Sequence, residues 1–181
     1  MIRQTSGKTL VLSLSLLLAV AGSAGAGDSA HGAPMDAKAA FEALKQLDGT
    51  WAGEAGPAGG EKAPAVSEFE VSAAGSVVME TMMPGTDHEM INMYHLDGDD
   101  LLLTHYCAGG NQPTMRLDLA HATATELPFV FTGGTNLDPA KDGHIHSGKM
   151  VFAQDGSIES HWSAWYEGKE VATNVFTLRR Q

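Results

Sequence analysis

An acid, an amide, a phenol, an imidazole and a thiol recur at alternating positions of one stretch: Glu80, then Asn92 and Tyr94, then His105 and Cys107. Imidazole and carboxylate are the usual pair for general acid–base work near neutral pH. His105 with Glu80, or with Asn92 to orient it, would suit a hydrolase- or isomerase-like reaction. Cys107 is a weaker nucleophile candidate. His105 lies two residues away on the same strand, roughly 6–7 Å by strand rise, too far for a sulfur–nitrogen contact. Cysteine is also among the most buried residue types. No Gly-x-Ser-x-Gly elbow, phosphate loop or dinucleotide fingerprint occurs in the chain.

Metal chemistry has two candidate sets. His144 and His146 fall on one face of a strand, roughly 6–7 Å apart, but need a third ligand. His161 lies roughly 13 Å away along the strands and cannot join them; His88, His105 and Glu80 remain open as partners. Met79, Met82, Met83, Met90 and Met93 with His88 form a thioether-rich run of the kind that holds copper(I). Strict strand alternation sends Met82 and Met83, and likewise Met90 and Met93, to opposite faces. Adaptable core filling is the reading it favours. Neither metal set is complete, so no metal ligands are assigned.

These residues are placed by turns. Asp36 can cap a helix over Ala37 to Leu47, with Phe41, Leu44 and Leu47 at helical spacing. Thr50 to Gly53 opens a first strand, and a loop covers Gly56 to Pro64. Further strands are expected near 66–73, 76–83, 88–97, 100–107, 113–120, 126–132, 144–154, 157–166 and 169–179. Ala74-Gly75, Pro84-Gly85, Gly98-Asp99, Gly109-Gly110-Asn111, Gly133-Gly134, Asp155-Gly156 and Glu167-Gly168 separate them. One N-terminal helix and about ten antiparallel strands predict an all-β fold, a closed up-and-down barrel; a sandwich is the alternative.

Pairing about these turns assigns faces. The Gly98-Asp99 turn sets Leu96 opposite Leu101, Tyr94 opposite Leu103, Asn92 opposite His105 and Met90 opposite Cys107, all inward. Ala74-Gly75 sets Phe69 opposite Glu80 and Val71 opposite Val78. A buried Glu80 then needs a partner or a raised pKa; Arg116 is a candidate partner, although its strand position favours the outside. Asp155-Gly156 sets Phe152 opposite Glu159, Met150 opposite His161 and His146 opposite Trp165. Glu167-Gly168 places Asn174 beside His161 and Phe176 beside Glu159. Two inner faces thus carry polar groups, which predicts a lined pocket. Its expected ligand-binding residues are Glu80, Asn92, Tyr94, His105, Cys107, His161, Trp165 and Asn174. Outer-face Tyr106, Trp162 and Tyr166 would serve a partner-binding module instead, and Trp51 should plug the barrel end against the helix.

The chain of 181 residues carries 11 basic and 22 acidic side chains. Residues 1–26 read as a signal peptide: Arg3 and Lys8, an apolar run from Thr9 to Ala21, and an Ala24-Gly25-Ala26 cleavage pattern. The run is too short for a membrane-spanning helix, and no cysteine follows it for lipid attachment, so no membrane anchor is expected. Residues 27–35 read as a disordered leader and 36–181 as the barrel domain. Removal of the signal takes two bases and no acid, leaving a net charge of −13. That balance argues against nucleic-acid and anionic-membrane partners. A periplasmic or secreted location is expected, and the single cysteine excludes an intramolecular disulfide.

A helix leading into Leu47-Asp48-Gly49-Thr50-Trp51-Ala52-Gly53 resembles the start of calycin-type barrels: lipocalins, fatty-acid-binding proteins and haem-binding nitrobindins. Met93-Tyr94-His95-Leu96-Asp97-Gly98, Thr104-His105-Tyr106-Cys107 and Gly109-Gly110-Asn111-Gln112-Pro113 are similar to a family of uncharacterised exported bacterial proteins, a domain of unknown function. The resemblance implies the barrel and no activity. It adds haem as a ligand class, with His105, His146 or His161 as axial candidates. The function expected is an exported binder of a small, partly apolar molecule, with an enzyme or a metal or haem protein as alternatives.

Overall fold

In the computed structural model, which describes Met1 and residues 34–181, one short helix precedes ten antiparallel strands. The helix α1 is Ala37–Lys45, and the strands are β1 Gly49–Pro57, β2 Ala63–Ser72, β3 Val77–Met82, β4 Met90–Asp97 and β5 Asp100–Tyr106. The second half is β6 Gln112–Leu117, β7 Glu126–Thr135, β8 His144–Phe152, β9 Ile158–Tyr166 and β10 Lys169–Arg180. Each strand pairs with its sequence neighbour, and β1 pairs with β10, so the meander closes into a barrel without free edges. Gly53 permits that closure: a Cβ there would sit 2.1 Å from the Thr177 carbonyl oxygen. The signal-peptide and leader readings fall outside the described residues, apart from Met1, Pro34 and Met35. No helix among the described residues is long and apolar enough to cross a membrane.

One end is shut. Asp36 caps α1 by accepting from the Ala39 amide at 2.7 Å. The helix buries Ala37, Ala40, Phe41 and Leu44 and packs on β4 and β5. Trp51 is buried and its indole N–H donates to the Leu47 carbonyl at 2.7 Å. The Arg180 guanidinium lies 4.8 Å over the Trp51 ring and donates to the Gln46 and Asp48 carbonyls at the helix exit. Trp51 therefore plugs this end as expected.

The first two expected registers hold, except that the β4–β5 pairing stops at Ile91 opposite Tyr106, so the expected Met90–Cys107 pair does not form. Leu96–Leu101, Tyr94–Leu103, Asn92–His105, Phe69–Glu80 and Val71–Val78 are all opposed. The Asp155-Gly156 hairpin does not pair as expected. Phe152 faces Ile158, Met150 faces Ser160, and Lys149 faces His161. The loop holds three residues, Gln154 to Gly156, with Ala153 N–H bonded to the Ser157 carbonyl and Gly156 at φ 78°. That is the longer, left-handed-glycine hairpin rather than the two-residue one. The one-residue slip turns β9 over. Ser160 and Trp162 are buried within the barrel, while His161 moves to the other face, beside Glu159 at 3.1 Å. Trp162, expected outside, is thus a barrel-interior residue.

Next, β10 starts in the expected register, with Glu170 opposite Trp165, and then bulges at Val171. Beyond the bulge Asn174 faces Trp162 and Phe176 faces Ser160. The two single-residue slips cancel, so Asn174 and Phe176 still point inward, with neighbours other than His161 and Glu159. β1 also extends to Pro57, shortening the expected 56–64 loop.

Candidate functional site

Glu80, Asn92 and His105 occupy one row across three adjacent strands, each directly opposite the next. All three are buried, as are Ser67 of β2 and Tyr94 of β4. Cross-strand neighbours on one face lie close enough for direct contact, and here they form a continuous network. Glu80 Oε1 accepts from the Ser67 hydroxyl at 3.0 Å. Its Oε2 accepts from Asn92 Nδ2 at 2.8 Å and from the Tyr94 hydroxyl at 3.0 Å. Asn92 Oδ1 meets His105 Nδ1 at 2.7 Å.

The network fixes the proton on His105. Asn92 Nδ2 faces two acceptors, Glu80 Oε2 and the Met82 sulfur at 3.3 Å, so its carbonyl oxygen must be the side turned to His105. Nδ1 therefore carries hydrogen, and Nε2 carries the lone pair. That nitrogen is buried and has no partner among the described residues. Burial disfavours a second ring proton and lowers the His105 pKa to about 4, so the imidazole stays neutral above that pH. Burial also pushes Glu80 above the ordinary carboxylate value, opposed by its bonds from Asn92, Ser67 and Tyr94. Tyr94 is raised well above 10, first by burial and then by the Glu80 charge, so its hydroxyl stays a donor. Arg116 supplies no countercharge: it is exposed and sits 3.6 Å from Asp100.

His105 forms part of the wall of a pocket of about 550 Å³ at the end opposite α1. Met82, Met83, Met90, Ile145, Trp162 and Phe176 supply most of its apolar wall; His88 and Asn174 add polar groups. Trp162 stacks on the imidazole with ring centroids 6.0 Å apart and donates to Ser160 Oγ at 3.1 Å.

The expected site residues therefore separate. His105 and Asn174 line the pocket, and Glu80, Asn92 and Tyr94 lie behind its wall. Cys107 follows β5 at the start of a turn, accepts from the Gly109 amide at 3.3 Å, and does not line the pocket. Nor does His161, because of the β9 slip. Trp165 stacks instead on His146 at 3.9 Å, with Phe131 on the other side of that ring at 4.5 Å. His144 Nε2 contacts His146 Nδ1 at 2.9 Å, so these imidazoles bond to each other. The His144 Nδ1 contact with the Asp142 carbonyl, at 2.9 Å, makes that nitrogen the donor. Burial and the neighbouring His144 lower the His146 pKa. Among the described residues no group of three or more His, Cys, Asp or Glu is arranged to hold a metal ion.

Sequence reasoning missed Ser67 and placed Trp162 on the wrong face. Ser67 was legible, since it alternates with Ala65 and Phe69 on the buried face of β2. No protein-family model matches this chain, and no curated protein matches it. The assignment that stands is structural: a closed ten-stranded barrel with one plugged end and a pocket at the other.

Proposed function

We propose that this barrel binds a small, largely apolar molecule through the pocket, with a hydrogen-bond donor of that molecule directed to His105 Nε2. The observation that carries the reading is the unpartnered Nε2 in a wall built of Met, Trp, Phe and Ile. A buried acceptor left unmade costs about 1–3 kcal/mol, which a ligand donor would recover. The volume is in the range of small-molecule sites, and a mostly apolar lining with few polar groups is their usual composition. Glu80, Asn92 and Tyr94 act as positioning residues that fix the tautomer, and Asn174 offers a second polar contact. The periplasm or the secreted medium is the compartment proposed. A pKa of about 4 makes His105 a weak base at neutral pH, which favours the acceptor role over turnover.

The test is a matched pair of probes, 2-naphthol and its methyl ether, titrated by fluorescence. The naphthol should bind about 3–10-fold tighter, the worth of one net hydrogen bond. The margin should vanish in His105→Asn, whose amide nitrogen replaces Nδ1 toward Asn92 while nothing replaces Nε2. It should hold from pH 8 to pH 5, because His105 stays neutral until about pH 4. Equal binding of both probes, or no binding of either, would overturn the reading. A Soret band on protein from its own host would reassign the pocket to haem.

A further inference from the structure

Strict alternation separates Met82 from Met83, yet both line the pocket, together with Met90. Met82 ends β3 on the buried face, and Met90 is directly opposite it in the register. Met83 escapes the alternation because the strand stops there: its φ is 54° and its amide bonds to the Val66 carbonyl at 2.8 Å. Met79 and Met93, in contrast, oppose each other on the other face and do not reach the pocket. Three thioethers and two imidazoles, His105 and the rim residue His88, thus share one wall.

We infer that this pocket is also a site for a soft monovalent ion, Cu(I) or Ag(I), held by the sulfurs of Met82, Met83 and Met90 and by His105 Nε2, with His88 at the rim. Thioether and neutral imidazole are the donors such ions prefer, and Mg²⁺ or Ca²⁺ would find no oxygen ligand set here. The geometry already couples two of the donors. Asn92 touches the Met82 sulfur at 3.3 Å with its amide nitrogen and holds His105 Nδ1 at 2.7 Å with its oxygen. Asn92 is therefore a positioning residue that keeps Nε2 free, as second-shell partners of metal-bound histidines do. Glu80, one side chain further back, makes no ion pair among the described residues and has no basic side chain among its bonded partners. A single positive charge at Met82 and His105 would face that acid through Asn92 and partly offset the cost of burying it. Methionine side chains have three rotatable bonds and can close around an ion smaller than the pocket.

This inference shares the pocket and His105 with the reading above, and the organic probe and the ion should compete. Methionine-to-leucine exchange tells them apart, because it keeps apolar volume and removes only sulfur. The experiment is isothermal titration of Ag(I), with native mass spectrometry, on wild type, Cys107→Ser and the triple variant Met82→Leu/Met83→Leu/Met90→Leu; 2-naphthol is titrated in parallel. One Ag(I) per chain is expected in wild type and Cys107→Ser, with X-ray absorption showing both sulfur and nitrogen neighbours. The triple variant should lose about a hundredfold in Ag(I) affinity and keep naphthol binding. If the triple variant loses both, Met83→Leu alone decides. Loss of about tenfold for Ag(I) with naphthol retained supports the site, and unchanged Ag(I) affinity overturns it. Absence of uptake by wild type, uptake lost in Cys107→Ser, or full uptake by the triple variant likewise overturns it. Silver binding without naphthol binding would sink only the earlier reading.

Discussion

At the scale of single residues the controlling feature is a buried carboxyl group whose bonded partners among the described residues include no base. Three donors offset its burial: Ser67, Asn92 and Tyr94. Glu80→Leu removes their common acceptor and should cost more than about 3 kcal/mol in urea denaturation, since each orphaned buried donor costs on the order of 1 kcal/mol or more. Glu80→Gln should stay within about 1 kcal/mol of wild type. Its carbonyl, placed on the Oε2 side, can still accept from Asn92 and Tyr94, and the Ser67 hydroxyl can rotate to accept from the new amide N–H. The sign with pH follows from the raised folded-state pKa. A carboxyl whose pKa lies above its unfolded value contributes stability fully below that value, 4.5, and loses it as pH rises through the folded value. Wild type should therefore lose ground to Glu80→Gln as pH climbs from 4.5. A constant gap between pH 4 and 8 would show that the three donors fully cancel the effect of burial. The position of Glu80 was legible in the sequence, because a clear turn set it opposite Phe69. The proton on His105 was not, because it depends on which way Asn92 turns, and that is settled by Met82 and Glu80 together.

Among the elements, the hairpins show where reading from sequence succeeds and why it stops. The tight turn at Gly98 fixed its register, and Asn92 met His105 as expected. At Asp155-Gly156 a similar pair of turn residues belongs to a three-residue loop, stabilised by Asp155 Oδ1 accepting from both the amide and hydroxyl of Ser157 at 3.0 and 2.6 Å. Loop length, not turn composition, sets register, and one extra residue exchanged Trp162 for His161 inside the barrel. Bulges are equally silent in the pattern, since the residue at 171 is an ordinary valine. The inward turn of Trp162 has a partner consequence on β8. Gly148 faces it, and a Cβ there would lie 2.5 Å from the indole ring. Gly148→Ala should displace the indole, destabilise by about 1–3 kcal/mol as overpacking does, and shift the naphthol affinity. Tryptophan emission and the urea midpoint check this. A variant with unchanged emission and midpoint would mean that the Trp162 ring moves aside at no cost.

For the whole molecule, the barrel separates a plugged end from an open one, and the two should be energetically independent. Evenly spaced turns made the meander legible; closure required β1 and β10 to meet, which Gly53 allows by admitting the Thr177 carbonyl. The plug depends on a residue far away in sequence: Arg180, at the end of β10, binds carbonyls at the exit of α1 and covers Trp51. Arg180→Ala removes those bonds and the cation–ring contact. The residue is exposed, so solvent takes over part of what is lost, and the expected cost is about 1–2 kcal/mol. The pocket lies at the opposite end and shares no lining residue with the plug around Trp51. Distant sites with no shared partners contribute additively to within a few tenths of a kcal/mol. Naphthol affinity in Arg180→Ala should then stay within about twofold of wild type while the urea midpoint falls. A tenfold loss of affinity would show that the strands transmit strain along the barrel, because no direct contact connects Arg180 to the ligand wall.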